Sequence, residues 1–202
     1  MNRKDLFACP FFFDTIELDD SKLVSAILST PIAGAMSHSI DVLDNQFSFL
    51  SDPINAITKS VMDEMGYDNY DIFTSWMTKT TSTFRHGFDH MHCNSFYSGV
   101  LYLTDKCSPI LFRHPLPWRW SSGSQDRNNG VLASNQFAFT PKKGDIVMFP
   151  SHVHHIILPH HQEEARCSLA FNVIPVGKFG RQDSTVNLIT VSYTHLTLPT
   201  KS

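Results

Sequence analysis

The stretch from Gly144 to Asn172 constrains the fold most tightly, because three short runs there are separated by polar corners. Ile146, Val147, Met148 and Phe149 form an apolar run that ends at a Pro150–Ser151 corner. Ile156, Ile157 and Leu158 form a second, which enters the polar turn from His160 to Glu164. In the third, Arg166, Ser168 and Ala170 alternate with Cys167, Leu169 and Phe171. Side-chain direction in a strand repeats every two residues, so these two sets are expected on opposite faces of one strand. The polar turn suits a hairpin between the second and third runs, which would set His155 opposite Arg166.

The rest of the chain gives these strands a domain to sit in. A length of 202 residues fits one domain with a sizeable core, and 42% hydrophobic with 12% aromatic residues is a globular composition. A formal net charge of −3 without any Lys/Arg block argues against a nucleic-acid or membrane-surface partner. No apolar run approaches the roughly 20 residues that span a bilayer. The first 15 residues make a poor signal peptide, since their short apolar stretch is broken by Pro10 and closed by Asp14. Cys9, Cys93, Cys107 and Cys167 form no C-x-x-C pair, so reduced thiols and a cytoplasmic location are expected.

In chain order, residues 6 to 18 are expected to form an edge strand, where Pro10 is tolerated. Asp19, Asp20 or Ser21 would cap a helix near Ser21 to Leu28, ended by Pro31. Residues 32 to 50 show no period and are assigned loop. Asp52 and Pro53 suit the N-cap and first position of a second helix, with Ile54, Ile57, Val61 and Met65 on one face and Gly66 as its stop. Strands are expected over residues 71–84, 96–104, 109–112 and 137–139. Residues 113 to 135, rich in Pro, Trp, Asn and Gly, form a long loop that would either cover the site, with Trp118 and Trp120 at its entrance, or be a mere excursion. The outcome is a mainly β, mostly antiparallel domain with helices packed outside.

Nine of the eleven histidines fall between His86 and His161. His90 and His92 stand two residues apart, on one side of an extended segment, and neutral imidazole is a common metal ligand. A third ligand from a distant strand would complete a facial set with open positions. His155 is the choice among His152, His154 and His155, because it precedes an apolar strand and faces Arg166. His86, His114, His152, His154, His160 and His161 are expected to be surface or hydrogen-bonded histidines.

These residues carry a resemblance. FDHMHCNSFYSGVLYL, GDIVMFPSHVHHIILP and EARCSLAFNV, preceded by Ser75-Trp76, are similar to the 2-oxoglutarate- and Fe(II)-dependent oxygenases. The closer likeness is to their branch common in phage and marine bacterial genomes, with H-x-H-x-N-S, S-G-V-x-Y, F-P-S-x-x-x-H and R-x-S-x-x-F-N motifs. The resemblance implies a double-stranded β-helix, or cupin-like jelly roll, over residues 1–185. It implies Fe(II) on His90, His92 and His155, and 2-oxoglutarate held by Arg166, whose planar fork suits a carboxylate. Ser168 and Tyr102 are further candidates for the co-substrate pocket. The implied activity is a dioxygenase that couples decarboxylation of 2-oxoglutarate to succinate with hydroxylation of a small-molecule or peptide substrate, using O2 and supported by ascorbate.

One residue departs from the wider family, whose usual first motif is His-x-Asp/Glu. His92 stands at the carboxylate position, and three neutral imidazoles leave the iron with one negative charge fewer. Asp89, or Asn94 with His92, are the alternative ligand sources, and Cys93 is expected to be a packed thiol. Two other readings use the same histidines: a cupin-like three-His metalloenzyme without 2-oxoglutarate, which would not need Arg166, and a non-catalytic jelly roll. Residues 186–202 end in SYTHLTLPTKS, which resembles translated read-through of a sequencing adapter. That tail, with His195, is expected to lie outside the domain.

Overall fold

The computed structural model describes residues 9–37, 40–81, 87–115 and 136–191. Its strands are β1 (Phe12–Thr15), β2 (Ile32–Ala33), β3 (Met36–Ser37), β4 (Tyr70–Thr80), β5 (Tyr97–Tyr102), β6 (Ile110–Arg113), β7 (Gln136–Phe139), β8 (Asp145–Pro150), β9 (His155–Ile157), β10 (Arg166–Pro175), β11 (Gly177–Phe179) and β12 (Val186–Leu188). Seven join in one sheet, ordered β1-β8-β5-β10-β4-β3-β2, and three form a second, ordered β7-β6-β9. β11 and β12 pair apart from both. Each pairing between these strands is antiparallel, and the mainly β jelly-roll expectation holds.

Two layers of apolar residues hold the molecule together. On the outer face of the large sheet, Met77, Leu101, Leu169, Phe171 and Val173 pack with Leu23 and Ala26 of α1 (Asp20–Ser29) and Ile54, Val61 and Met62 of α2 (Ser51–Glu64). Between the sheets, Tyr102, Val147 and Phe149 meet Ile110 and Phe112 of the small sheet. Full burial of one such side chain stabilises by about 1.5–3 kcal/mol. The alternation in β10 therefore divides as expected: Leu169 and Phe171 face the helices, and Arg166 and Ser168 face the space between the sheets.

The expected hairpin between the second and third runs does not form. β9 pairs with β6, setting His155 beside Phe112, whereas β10 lies between β4 and β5, with Arg166 beside Thr80. The polar turn thus carries the chain from one sheet to the other. Burial inside that crossing holds it: His160 is 1% exposed, its ring nitrogens 3.0 Å from Ser108 Oγ and 2.7 Å from the Glu164 carbonyl.

Local signals elsewhere were shifted rather than lost. Asp19 caps α1 by accepting from the Ser21 and Lys22 amides, the first of the three candidate caps. α2 starts earlier than expected, because a 3-10 turn over Ser48–Leu50 runs into it, with Leu50 as its N-cap. Asp52 and Pro53 then lie inside the first turn, where Pro53 costs no hydrogen bond because those amides have no helical partner. Gly66 ends the helix at φ +80°, but Met65 is 37% exposed and Thr58 takes a buried place on the packed face. The segment 32–50 is not plain loop: it holds β2 and β3 and buries Val42 and Phe47 completely. Val186–Leu188, grouped with the tail on sequence, pairs with Gly177–Phe179. Residues 192–202, His86 and residues 116–135, including Trp118 and Trp120, lie outside the described residues.

Candidate metal centre and its buried arginine

His90 and His155 meet through a two-bond antiparallel bridge, His90 N to the His155 carbonyl at 3.0 Å and His155 N to the His90 carbonyl at 2.9 Å. That bridge sets the H-x-H segment against the start of β9. The rings of His90 and His155 lie 4.4 Å apart, and His92 lies 5.2 and 5.3 Å from them. One ligand atom of each imidazole falls within 4.8 Å of the others. His155 is buried, His92 half-buried and His90 exposed, so the cluster opens to solvent on one side.

The neighbours fix which nitrogen is free. His155 Nδ1 lies 3.0 Å from the Val153 carbonyl and His90 Nδ1 lies 2.7 Å from the Phe88 carbonyl. A carbonyl only accepts, so both Nδ1 atoms carry the proton and both Nε2 lone pairs are left for a ligand. His155 is packed by Phe149 and Phe112, and His92 stacks on Trp76 at 5.7 Å. Burial, with the neighbouring His90, pushes the His92 imidazole down to about 4. Burial likewise pushes His155 down to about 4, against the raising effect of its hydrogen bond to the Val153 carbonyl. Both rings are neutral at pH 7, the form that binds a metal.

Of the other proposed ligand sources, Asp89 is engaged elsewhere. Asp89 pairs with Arg113 Nε at 2.5 Å and approaches His154 Nδ1 at 3.4 Å. Asn94 and Cys93 are exposed, so the expectation of a packed Cys93 is not met.

Arg166 enters from β10. It is 1% exposed, its Nε and Nη1 have no hydrogen-bond partner, and among the described residues no carboxylate pairs with it. Its Cζ sits 5.3 Å from the centre of the Tyr102 ring. The Tyr102 hydroxyl is also buried and unpartnered, and burial pushes its pKa up to about 12 despite the opposing Arg166 charge. Ser168 lies between Tyr102 and Thr78 in the strand register, 2.7 Å from the Thr78 hydroxyl. A buried cation beside an unpaired phenol is costly unless an anion completes it. The fixed charge, the phenol and the two hydroxyls have the chemistry to bind a carboxylate.

Ser75-Trp76 gains a physical role here. Trp76 is the platform under His92, and Ser75 pins the segment before α2 by accepting the Leu43 amide at 2.8 Å.

Residues 74–172 match the family model described as "Putative 2OG-Fe(II) oxygenase". No curated protein matches the chain. Among solved structures, the α-ketoglutarate-dependent epimerase SnoN of nogalamycin biosynthesis is similar at TM-score 0.59 and 13% identity, over 84% of this chain and 80% of that one. HygX from Streptomyces hygroscopicus, with nickel and 2-oxoglutarate bound, is similar at TM-score 0.53 and 12% identity, over 83% of each chain. A prolyl hydroxylase from Trichoplax adhaerens, in complex with a hypoxia-inducible-factor peptide, gives 0.54 and 12%, over 82% of this chain and 83% of that one.

Proposed function

This chain belongs to the 2OG-Fe(II) oxygenase family, and from that premise we propose that it is a hydroxylase whose iron is held by His90, His92 and His155. We assign the far carboxylate of 2-oxoglutarate to Arg166, with the Tyr102 and Ser168 hydroxyls as its neutral donors. The observation that carries this reading is the buried Arg166 guanidinium, which has two unpartnered nitrogens and, among the described residues, no carboxylate partner. A cupin-like enzyme without 2-oxoglutarate would have no use for such a charge.

The donor set fits the group. Three neutral imidazoles suit Fe(II), although the missing carboxylate leaves the ion less neutralised than a His-x-Asp motif would. Bound together, Fe(II), 2-oxoglutarate and O2 supply an oxidant as 2-oxoglutarate is decarboxylated to succinate. The chain's own part is positional. The Val153 and Phe88 carbonyls hold His155 and His90 in one tautomer, and the His90–His155 bridge fixes their separation. Phe112 and Phe149 keep water from the buried side of His155, and Arg166 sets the depth of the co-substrate. The exposed side at His90 is left for a small-molecule or peptide substrate. Among the described residues no helix is long and apolar enough to cross a membrane, and the four free thiols support our placing the enzyme in a reducing cytoplasm.

The test is succinate formation from 2-oxoglutarate with Fe(II) and ascorbate, for wild type beside Arg166→Ala and His155→Ala. Wild-type turnover that both variants lose is the expected result. Metal binding without succinate would overturn the co-substrate assignment in favour of the cupin-like alternative, and neither metal nor turnover would leave the histidines structural.

A further inference from the structure

Four residues recur in the motifs without lending a side chain to the histidine cluster: Ser95 of H-x-H-x-N-S, Ser98 of S-G-V, Ser151 of F-P-S and Asn172 of F-N. The fold brings them into one line. Ser95 Oγ lies 2.9 Å from the Tyr97 carbonyl and 2.5 Å from Ser151 Oγ. Ser151 Oγ lies 2.9 Å from Ser98 Oγ, which in turn faces the Asn172 Oδ1 at 2.9 Å. Ser151 is completely buried and Ser98 is 2% exposed, so water cannot substitute for a missing partner.

Proton counting fixes the direction of this line. With the carboxamide oxygen facing Ser98, four contacts draw on three hydroxyl protons, since neither that oxygen nor the Tyr97 carbonyl donates. One buried contact would then join two lone pairs. The two ends of a carboxamide are nearly the same shape, and among the described residues no other side-chain bond of Asn172 opposes a half-turn. With its N–H₂ toward Ser98, every contact has a proton. In that turned arrangement Asn172 would donate to Ser98, Ser98 to Ser151, Ser151 to Ser95, and Ser95 to the Tyr97 carbonyl.

The line ends against both ligand-bearing segments. Ser151 opens the corner from β8 to β9, and its carbonyl accepts the His92 amide at 2.9 Å while its own amide donates to the Phe96 carbonyl at 2.9 Å. Two residues on, Val153 holds His155 Nδ1. Ser151 is therefore tied to the His92 segment through its backbone and to the strands β5 and β10 through its hydroxyl. We infer that Ser95, Ser98, Ser151 and Asn172 form a one-way hydrogen-bond chain that positions His92 and the His155 corner for metal binding. The metal-binding part of this inference rests on the iron-site assignment proposed above. The four are positioning residues, since none reaches the ligand atoms itself.

The experiment uses the metal-free protein, titrated with Co(II) and followed by its visible absorption, beside amide hydrogen exchange at His92. Ser151→Ala and Ser98→Ala are expected to weaken Co(II) binding about tenfold or more, the usual effect of removing a partner behind a metal ligand, with an altered Co(II) spectrum. Faster exchange of the His92 amide should accompany the loss. Asn172→Asp, which keeps the shape but only accepts at neutral pH, should also release that amide. Thr30→Val, which deletes a buried hydroxyl bonded to the Ala26 carbonyl at 2.7 Å, is the control for mere loss of stability. If Ser151→Ala does not fold, Ser95→Ala at the half-buried end of the line carries the test. Wild-type Co(II) affinity and spectrum, with His92 still protected in the serine variants, would overturn the positioning role. Asn172→Asp that leaves His92 protected would overturn the direction. A wild type that binds no Co(II) would instead sink the iron-site assignment, and the exchange data would still decide whether the line holds the His92 segment.

Discussion

Replacing Arg166 by Met separates a charge that serves the fold from one that serves a ligand. The guanidinium is 1% exposed, two of its nitrogens lack partners, and its Cζ lies 5.3 Å from the centre of the Tyr102 ring. Exchanging a buried charge for an apolar side chain of similar size is neutral or stabilising by about 1–4 kcal/mol. Loss of the cation–π contact takes back about 0.5–2 kcal/mol. The ligand-free variant is therefore expected to lie between about 2 kcal/mol less and about 3.5 kcal/mol more stable than wild type, and about 2–4 °C per kcal/mol for a chain of this size puts its melting temperature between about 8 °C lower and about 14 °C higher. The co-substrate needs the charge. An unpaired carboxylate in the same pocket costs about 3–5 kcal/mol, so 2-oxoglutarate should bind about 150-fold to several thousand-fold more weakly and no longer raise the melting temperature. Thermal unfolding with and without 2-oxoglutarate and Mn(II), alongside calorimetric titration, reads both effects. A ligand-free Arg166→Met protein destabilised by more than 2 kcal/mol would refute the reasoning, because it would mean that the guanidinium is already satisfied by the protein.

Three other outcomes test the surroundings of the site. His92 and His155 are depressed to about 4 from 6.5, so in metal-free protein their contribution is complete above pH 6.5 and is lost as the pH falls toward 4. The urea midpoint should drop between pH 7 and 4.5, and His92→Asn/His155→Asn should remove much of that drop; an equal drop in the double variant refutes the assignment. Gly99→Ala should cost about 1–3 kcal/mol, because the new Cβ would stand 2.0 Å from Phe171 Cζ, and Phe171→Leu should relieve it in a double-mutant cycle. Strict additivity in urea unfolding would contradict that contact. Asp89→Asn should leave Co(II) affinity within about threefold, a surface-charge effect, since Asp89 is engaged by Arg113 and His154; a loss of a hundredfold would restore it as a ligand.

The sequence by itself determined the local alternations. H-x-H places two imidazoles on one side of an extended segment, and the period of two in β10 separates Arg166 and Ser168 from Leu169 and Phe171 whatever the strand pairs with. Asp19 and Gly66 were legible for the same reason, since capping and positive φ are properties of a few adjacent residues. Tertiary structure alone decided the partners. The polar turn at His160 looked like a hairpin, yet β9 joined β6 and β10 joined β4 and β5, because pairing followed the burial of two separate apolar layers. The unperiodic segment 32–50 likewise took its structure from distant contacts, Leu43 being tied to Ser75. His155 came to the metal cluster through a bridge to His90 rather than by facing Arg166 across a hairpin. Ser95 and Ser98 lie far along the chain from Ser151 and Asn172, and only the closure of β5, β8 and β10 into one sheet lines up their polar atoms. Side-chain direction is set by the residue's own backbone, whereas strand pairing is set by which distant surfaces leave water together, and a single local pattern fits several such choices.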